Sequence, residues 1–383
     1  MKKKIIRITT VPTSLLGLLH GQLKFMSQYY DILGVSSQGK NNELDKLPDV
    51  EKVPAVAIEM TRKITPIKDL IAVYRLYKLF KKEKPFIVHS HTPKAGTLSM
   101  LAAKLAGVNH RLHTIAGLPL VEAKGFKRIV LNTVEKITYK CATKIYPNSF
   151  GLKKIILEHN FTNENKLTVI GNGSSNGIDT ERFNPDRFTD EVKKAEFLSN
   201  LGINKSDFVF LFVGRLVSDK GVNELVAAFD RMCINHTEIK LLLVGGYENE
   251  LDPLKPETTK IIKSNKNIIS SGWVQDVCPY FAISNVLTFV SYREGFPNVV
   301  MQAGAMGLPC IVSNINGCNE IIIEGENGTI IPAKNSDALY EKMLSILNKD
   351  IQFSSKTCRE LIVKRYQRQV IWDALLKEYN SLS

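Results

Sequence analysis

Short apolar runs recur along the chain, and most are separated by stretches in which apolar residues repeat at helical spacing. In the first half the runs are 4–10, 32–36, 53–58, 85–91, 110–117, 144–147 and 167–170. In the second half they are 208–213, 239–244, 268–270, 286–290, 310–312 and 329–331. Runs this short, apolar on both alternating positions, read as strands of a parallel sheet covered on both faces. The spacing predicts a loop at 12–21 that opens a helix to about residue 29. It predicts further helices at 69–82, with Leu70, Val73, Leu76, Tyr77 and Phe80 in register, at 96–106, and at 124–140, with Phe126, Ile129, Val130, Val134 and Ile137. A polar stretch at 179–200, containing Phe183-Asn184-Pro185, interrupts the alternation before it restarts. The fold class is therefore α/β, with two successive doubly wound domains. We place them at 1–185 and 200–355, and a final helix, about 355–381, has no strand partner and must pack on an existing domain.

Composition agrees with this and adds an asymmetry. At 383 residues and 44% hydrophobic content, the chain is long enough for two cores. Residues 1–180 hold 28 Lys and Arg against 13 Asp and Glu, whereas the remainder holds 23 against 25, so the net charge of +13 lies in the first half. A basic first domain points to an anionic partner such as phospholipid, a pyrophosphate-linked substrate or nucleic acid; its plain reading is a solvated face. None of the six cysteines forms a C-x-x-C pair, which suggests reduced thiols in a cytosolic protein. The opening Met1-Lys2-Lys3-Lys4 is followed by Arg7 and Pro12 with no cleavage site, so it reads as a first strand rather than a signal peptide. No apolar run approaches the roughly 18 residues a membrane span needs.

Candidate chemistry collects where strands end. Ser291-Tyr292-Arg293-Glu294-Gly295-Phe296-Pro297-Asn298-Val299-Val300-Met301-Gln302-Ala303 follows the run 286–290. Pro297 suits the first turn of a helix reaching about Gly307, and free N–H groups at a helix start suit a phosphate. Glu294 is the acid at the strand's C-terminal end, where open α/β sheets bind ligands. Gly214-Arg215-Leu216 and Lys220-Gly221 place a planar cation and a point charge beside another helix start, a pair suited to a diphosphate. Gly272-Trp273-Val274-Gln275-Asp276 forms a loop able to hold a flat base, although Asp276 reads more simply as a helix cap. Gly17 and Gly21 would let backbone approach a ligand. Three patterns are discounted. Residues 171–177 resemble a dinucleotide loop but no adequate helix follows. His89 and His91 offer two metal ligands without a third. No P-loop is present.

Together these motifs resemble the retaining GT-B glycosyltransferases of family 4. The likeness rests on Gly214-Arg215-Leu216, Lys220-Gly221, Val244-Gly245-Gly246, Gly272-Trp273-Val274, Glu294-Gly295-Phe296-Pro297, Ala305-Met306-Gly307-Leu308-Pro309 and Gly325-Glu326-Asn327-Gly328. In the first domain it rests on His91-Thr92-Pro93-Lys94-Ala95-Gly96, Arg111-Leu112-His113-Thr114 and the segment 173–179, which look like the bacterial capsule and lipopolysaccharide branch. The resemblance implies two Rossmann-like domains facing a cleft, with 356–383 crossing back to the first domain. It implies a nucleotide-sugar donor, most commonly a UDP-sugar, held mainly by the second domain. Arg215 and Lys220 would bind the diphosphate, and Glu294 the sugar hydroxyls with the backbone of Phe296 and Pro297. The amides of Asn298 and Val299 would face phosphate, and Val274 lies in the loop for the base. Gln302 stands where the family usually places an acid for the ribose. His113 matches the active-site histidine and Gly17 the glycine near the phosphates, and His91 and Lys94 fall on the acceptor side.

The resemblance further implies retention of anomeric configuration, no metal or other cofactor (the chain has no Asp-x-Asp), and a polyprenyl-diphosphate-linked saccharide acceptor. It places the protein on the cytoplasmic face of the membrane, where the basic helices 69–82 and 124–140 would lie on anionic lipid. Two other readings remain open to this sequence. A UDP-sugar 2-epimerase of the same fold would need acid and base side chains about the sugar ring. A nucleic-acid-binding protein would need aromatic platforms or a recognition helix among its basic residues, and neither pattern is present.

Overall fold

The structure, a computed structural model, describes residues 2–61, 65–118, 125–248, 250 and 252–382. The chain forms two compact units, Met1–Gly177 with Arg368–Ser383, and Ile178–Gln367.

The first unit is built on six parallel strands: β1 (Lys4–Ile8), β2 (Asp31–Ser36), β3 (Ala55–Ala57), β4 (Ile87–Ser90), β5 (His110–Ile115) and β6 (Lys144–Pro147). Their order is β3-β2-β1-β4-β5-β6. Because side chains alternate across a strand, each strand feeds two cores. Ile6, Ile8, Val35 and Val88 pack on one face with Leu76, Phe80, Met100 and Tyr139. Ile5, Ile32, Ile87 and Leu112 pack on the other with Leu19, Leu23, Leu375 and Tyr379.

The second unit repeats the design with β7 (Phe208–Val213), β8 (Ile239–Val244), β9 (Ile268–Gly272), β10 (Val286–Phe289), β11 (Cys310–Ser313) and β12 (Gly328–Ile331), ordered β12-β11-β10-β7-β8-β9. Both sheets thus turn back once, between β1 and β4 in the first and between β7 and β10 in the second. At such a switch point successive helices leave on opposite faces and open a crevice at the C-terminal strand ends.

Several sequence expectations are corrected. The single helix expected at 355–381 is two, Ser355–Tyr366 and Arg368–Asn380. Gln367 between them is extended, with φ −57° and ψ 146°, and pairs with Ile178 while Ile178 N–H donates to Tyr366 O at 2.8 Å. The first helix belongs to the second unit and only the second helix to the first, so the segment 356–383 is not one element. The first unit's leading stretch stops at Gly177 rather than 185, and Phe183 lies in the second unit's core. The run 53–58 supplies only the three-residue β3, and 167–170 forms a single bridge from Leu167 to Ile145. The helix expected to 29 is a wide turn, Ser14–Leu18, and then Gln22–Met26.

The 69–82 segment forms the Pro66–Glu83 helix, which buries Ala72, Leu76 and Phe80. Leu70 is 69% exposed, because the helix turns a second apolar stripe of Ile67, Leu70, Ile71 and Tyr74 to solvent. In the Gly125–Cys141 helix, Ile129 and Ile137 also face outward, whereas Lys124, where that helix was expected to start, lies outside the described residues. Among the described residues no helix is long and apolar enough to cross a membrane, and all six cysteines are free thiols.

Candidate active site

In the second unit, the ends of β7 and β10 flank the switch point. β7 is apolar throughout, so its first polar side chain appears as it leaves the sheet, at Arg215. A 3₁₀ turn, Ser218–Lys220, follows and delivers Lys220 to the start of the Val222–Met232 helix. Gly221 between them has φ 71°, and a Cβ there would stand 2.1 Å from Val290 O, just past the end of β10. Glycine therefore lets the two strand ends close on each other.

This closure brings Lys220 and Glu294 together. Lys220 Nζ lies 2.5 Å from Glu294 Oε1, with the two side chains 15% and 17% exposed. Arg215 is half exposed and pairs with Glu248 at 2.5 Å. Beside them Arg293 pairs with Asp219 at 3.0 Å, and Tyr292 donates its hydroxyl to Glu224 at 2.7 Å. Lys220, Arg215, Arg293 and Glu294 thus stand at one sheet edge, each held by an internal partner that a charged ligand can replace.

The rest of the stretch falls around them. Pro297 caps the Asn298–Ala305 helix instead of entering it. Phe296 is buried against Tyr366, ring centroids 5.4 Å apart, so only its backbone faces outward. The N–H groups of Asn298 and Val299 lie in the helix's first turn, which no intrahelical carbonyl satisfies. Gln302 lies half-buried on the same helix. Val274 is half-buried just past β9, next to Trp273, which is 78% exposed. Asp276 accepts from Cys278 N–H at 3.3 Å and pairs with Arg182 at 3.0 Å.

In the first unit, the switch point between β1 and β4 carries the other expected residues. Gly17 is exposed, and among the described residues no atom lies within 4 Å of where a Cβ would stand, so packing alone does not require glycine there. His113, at 3% exposure, meets Ser90 Oγ through Nδ1 at 2.8 Å. Its ring lies against Gly96, where a Cβ would come within 2.3 Å of Cε1. Burial pushes the His113 imidazole down to about 4, so it is neutral at physiological pH.

His91 is buried. Arg7 Nε donates to its Nε2 at 3.0 Å, which puts the imidazole proton on Nδ1. Among the described residues that Nδ1 has no hydrogen-bond partner, and His91 lines a cavity of about 20 Å³, room for one water, together with Asn148 and Ser175. His89 sits between Tyr379 Oη and Thr114 Oγ1. Burial holds both histidines well below the ordinary range, and the neighbouring cations add to this. Lys94 is paired with Asp69. His91 and Lys94 therefore have internal partners, and neither presents a free surface group. Among the described residues no cluster of His, Cys, Asp and Glu could hold a metal ion.

Sequence reasoning missed Glu248, which holds Arg215, and Asn316, which reaches the Glu294 turn. Glu248 lies two residues past the Gly245-Gly246 motif, a signal that could have raised it. Asn316 has no sequence signal, because its partners are backbone carbonyls.

Comparison with known proteins decides the family. Residues 193–368 match the model for glycosyl transferases group 1, and residues 18–149 match that for glycosyl transferase 4-like domains. A capsular polysaccharide biosynthesis glycosyltransferase, CapM of Staphylococcus aureus, is 35% identical over 99% of this chain and 97% of its own. The chain belongs to the group 1 glycosyltransferases. An Escherichia coli UDP-Gal:alpha-D-GlcNAc-diphosphoundecaprenol alpha-1,3-galactosyltransferase is 30% identical over 96% of this glycosyltransferase and 95% of its own length. In fold it is similar to a glycosyltransferase from Rickettsia africae, at TM-score 0.79, 21% identity, 100% of this chain and 98% of that one. It is also similar to Anabaena HepE, solved with UDP and glucose, at TM-score 0.78, 16% identity, 99% of this chain and 100% of that one. These are two-domain GT-B folds, and the two parallel six-stranded sheets described above have that architecture.

Proposed function

We propose that this glycosyltransferase is a retaining enzyme that moves a sugar from a UDP-sugar to a lipid-diphosphate-linked saccharide in bacterial surface polysaccharide synthesis. The observation that carries the reading is the Lys220–Glu294 pair at the second unit's switch point, with Arg215 beside it. A donor diphosphate satisfies both cations, and the Glu294 carboxylate then accepts from sugar hydroxyls. The relatives' acceptors support the second half of the reading. The Escherichia coli relative is named for a diphosphoundecaprenol acceptor, and so is a Campylobacter jejuni relative at 27% identity.

In the proposed step the acceptor hydroxyl attacks the anomeric carbon on the face the diphosphate leaves. The bond from that carbon to the phosphate oxygen breaks, the new glycosidic C–O bond forms, and the acceptor's proton passes to the departing phosphate oxygen. Charge builds on the diphosphate, so Arg215 and Lys220 do most of the electrostatic work, and no metal is required to neutralise it. The helix start at Asn298 and Val299 adds N–H donors to phosphate. Gln302 holds the ribose with a neutral amide. His113 serves as a neutral imidazole, consistent with its depressed pKa.

The same reading puts the enzyme on the cytoplasmic membrane surface. Support comes from the Pro66–Glu83 helix, whose exposed Ile67, Leu70, Ile71 and Tyr74 run beside exposed Lys68, Arg75 and Lys78. Exposed apolar side chains among cations are the pattern of an interfacial helix on anionic lipid. Liposome sedimentation tests it. Binding should require anionic vesicles at low salt and weaken in Leu70→Asp; equal binding to neutral vesicles would contradict it. For the chemistry, Arg215→Ala and Lys220→Ala should each lower turnover about 10²–10³-fold. Intact turnover in both variants would overturn the assignment.

A further inference from the structure

We propose that Asn316 is a positioning residue for Glu294, holding the 294–297 turn in the shape that presents the carboxylate to a donor sugar. This rests on the donor-binding reading above. Asn316 Nδ2 donates to Glu294 O at 2.5 Å and to Gly295 O at 3.2 Å. One side-chain amide thus gathers two consecutive carbonyls of the turn. Only a donor can face two carbonyls, so the amide orientation is fixed by its partners.

The base from which Asn316 reaches is rigid. It follows β11, where Asn314 N–H donates to Ile331 O at 2.7 Å and Ile315 N–H to Ser313 O at 2.8 Å. Gly317, at φ 79°, presses its backbone on the same turn, and a Cβ there would come within 2.6 Å of Gly295 O. On its other side the turn is set by Tyr292 N–H donating to Asp219 O at 2.8 Å and by the Lys220 contact to the Glu294 carboxylate. Lys220 fixes where the carboxylate ends, and Asn316 fixes the backbone that carries it. Glu294 would meet only the sugar of the donor, so loss of Asn316 should weaken sugar recognition and spare the nucleotide.

The test compares Asn316→Ala and Asn316→Asp with wild type, measuring the affinity of UDP and of UDP-sugars by calorimetry at pH 8, with thermal melting to confirm folding. Loss of one charge-neutral donor to two carbonyls should weaken UDP-sugar binding about 10-fold in Asn316→Ala, with UDP affinity within about twofold. Asn316→Asp should be worse than alanine at pH 8, because an ionised carboxylate faces two carbonyl oxygens. Equal weakening of UDP and UDP-sugar would show general loosening and overturn the proposal. So would unchanged binding, or an aspartate variant that binds UDP-sugar better than the alanine variant. If wild type binds UDP but no UDP-sugar, or neither, the donor-binding reading itself fails, independently of the variants.

Discussion

Lys220 does two jobs in this account, and they can be separated. In the protein without donor its ammonium neutralises Glu294 at 2.5 Å, both groups being more than four-fifths buried. Lys220→Ala leaves the carboxylate in that position without its partner. Breaking a buried pair from one side costs about 3–5 kcal/mol, and the partial exposure here argues for the lower end, about 3 kcal/mol. For a unit the size of Ile178–Gln367, each kcal/mol moves the thermal midpoint by about 2–4 °C, so the second unit should melt roughly 6–12 °C lower. Adding Glu294→Gln removes the stranded charge and should restore at least half of that loss. Turnover should stay at its reduced level in the double variant, because no cation returns to the diphosphate. The assay is differential scanning calorimetry beside a coupled UDP-release measurement. Double-variant stability no better than Lys220→Ala would refute the argument that the pair, rather than lysine packing, supplies the stability. Recovery of turnover with stability would refute the role of Lys220 in catalysis.

Glu248 competes with a ligand for Arg215 at an exposed site, where such pairs are worth about 0.5–1 kcal/mol. Glu248→Gln should therefore tighten UDP binding about two- to fivefold by calorimetry, and weaker binding would contradict the competition. Gly96→Ala inserts a methyl group 2.3 Å from the His113 ring, so it should cost about 1–3 kcal/mol in denaturant unfolding and lower turnover while quenching of Trp273 fluorescence by UDP persists. Folding holds His113 at about 4 and His89 and His91 well below the ordinary value near 6.5, so from about pH 6.5 down to 4 the unfolded chain binds protons that the folded chain refuses. Their stability is fully present above pH 6.5 and falls with pH at up to about 1.4 kcal/mol per pH unit for each histidine, so urea midpoints should drop steeply between pH 6.5 and 5. A flat profile there would contradict the buried, neutral assignment.

Much of this was legible in the amino-acid order. Parallel strands buried on both faces show as apolar runs, so β7, β8 and β10 were readable nearly to the residue. The positions of Arg215, Lys220 and Glu294 beyond strand ends followed from the same runs. What stayed hidden depends on contacts distant in sequence. Gln367 breaks a continuous helical pattern because Ile178, far upstream, bonds across it. Leu70 fits a helix face but not the buried one, since the stripe through Leu76 and Phe80 packs inward. The burial of His91 depends on Arg7, and the role of Asn316 on two carbonyls; neither partner has a motif.

The central claim is retaining transfer from a nucleotide-sugar to a lipid-linked acceptor. It is tested most directly by incubating the protein with a panel of UDP- and GDP-sugars and a polyprenyl-diphosphate-linked saccharide, then determining the product's anomeric configuration by NMR. The expected result is one productive UDP-sugar, with the donor's α-configuration kept in the new linkage. A β-linked product, or turnover with no donor of the panel while the folded protein is intact, would contradict it.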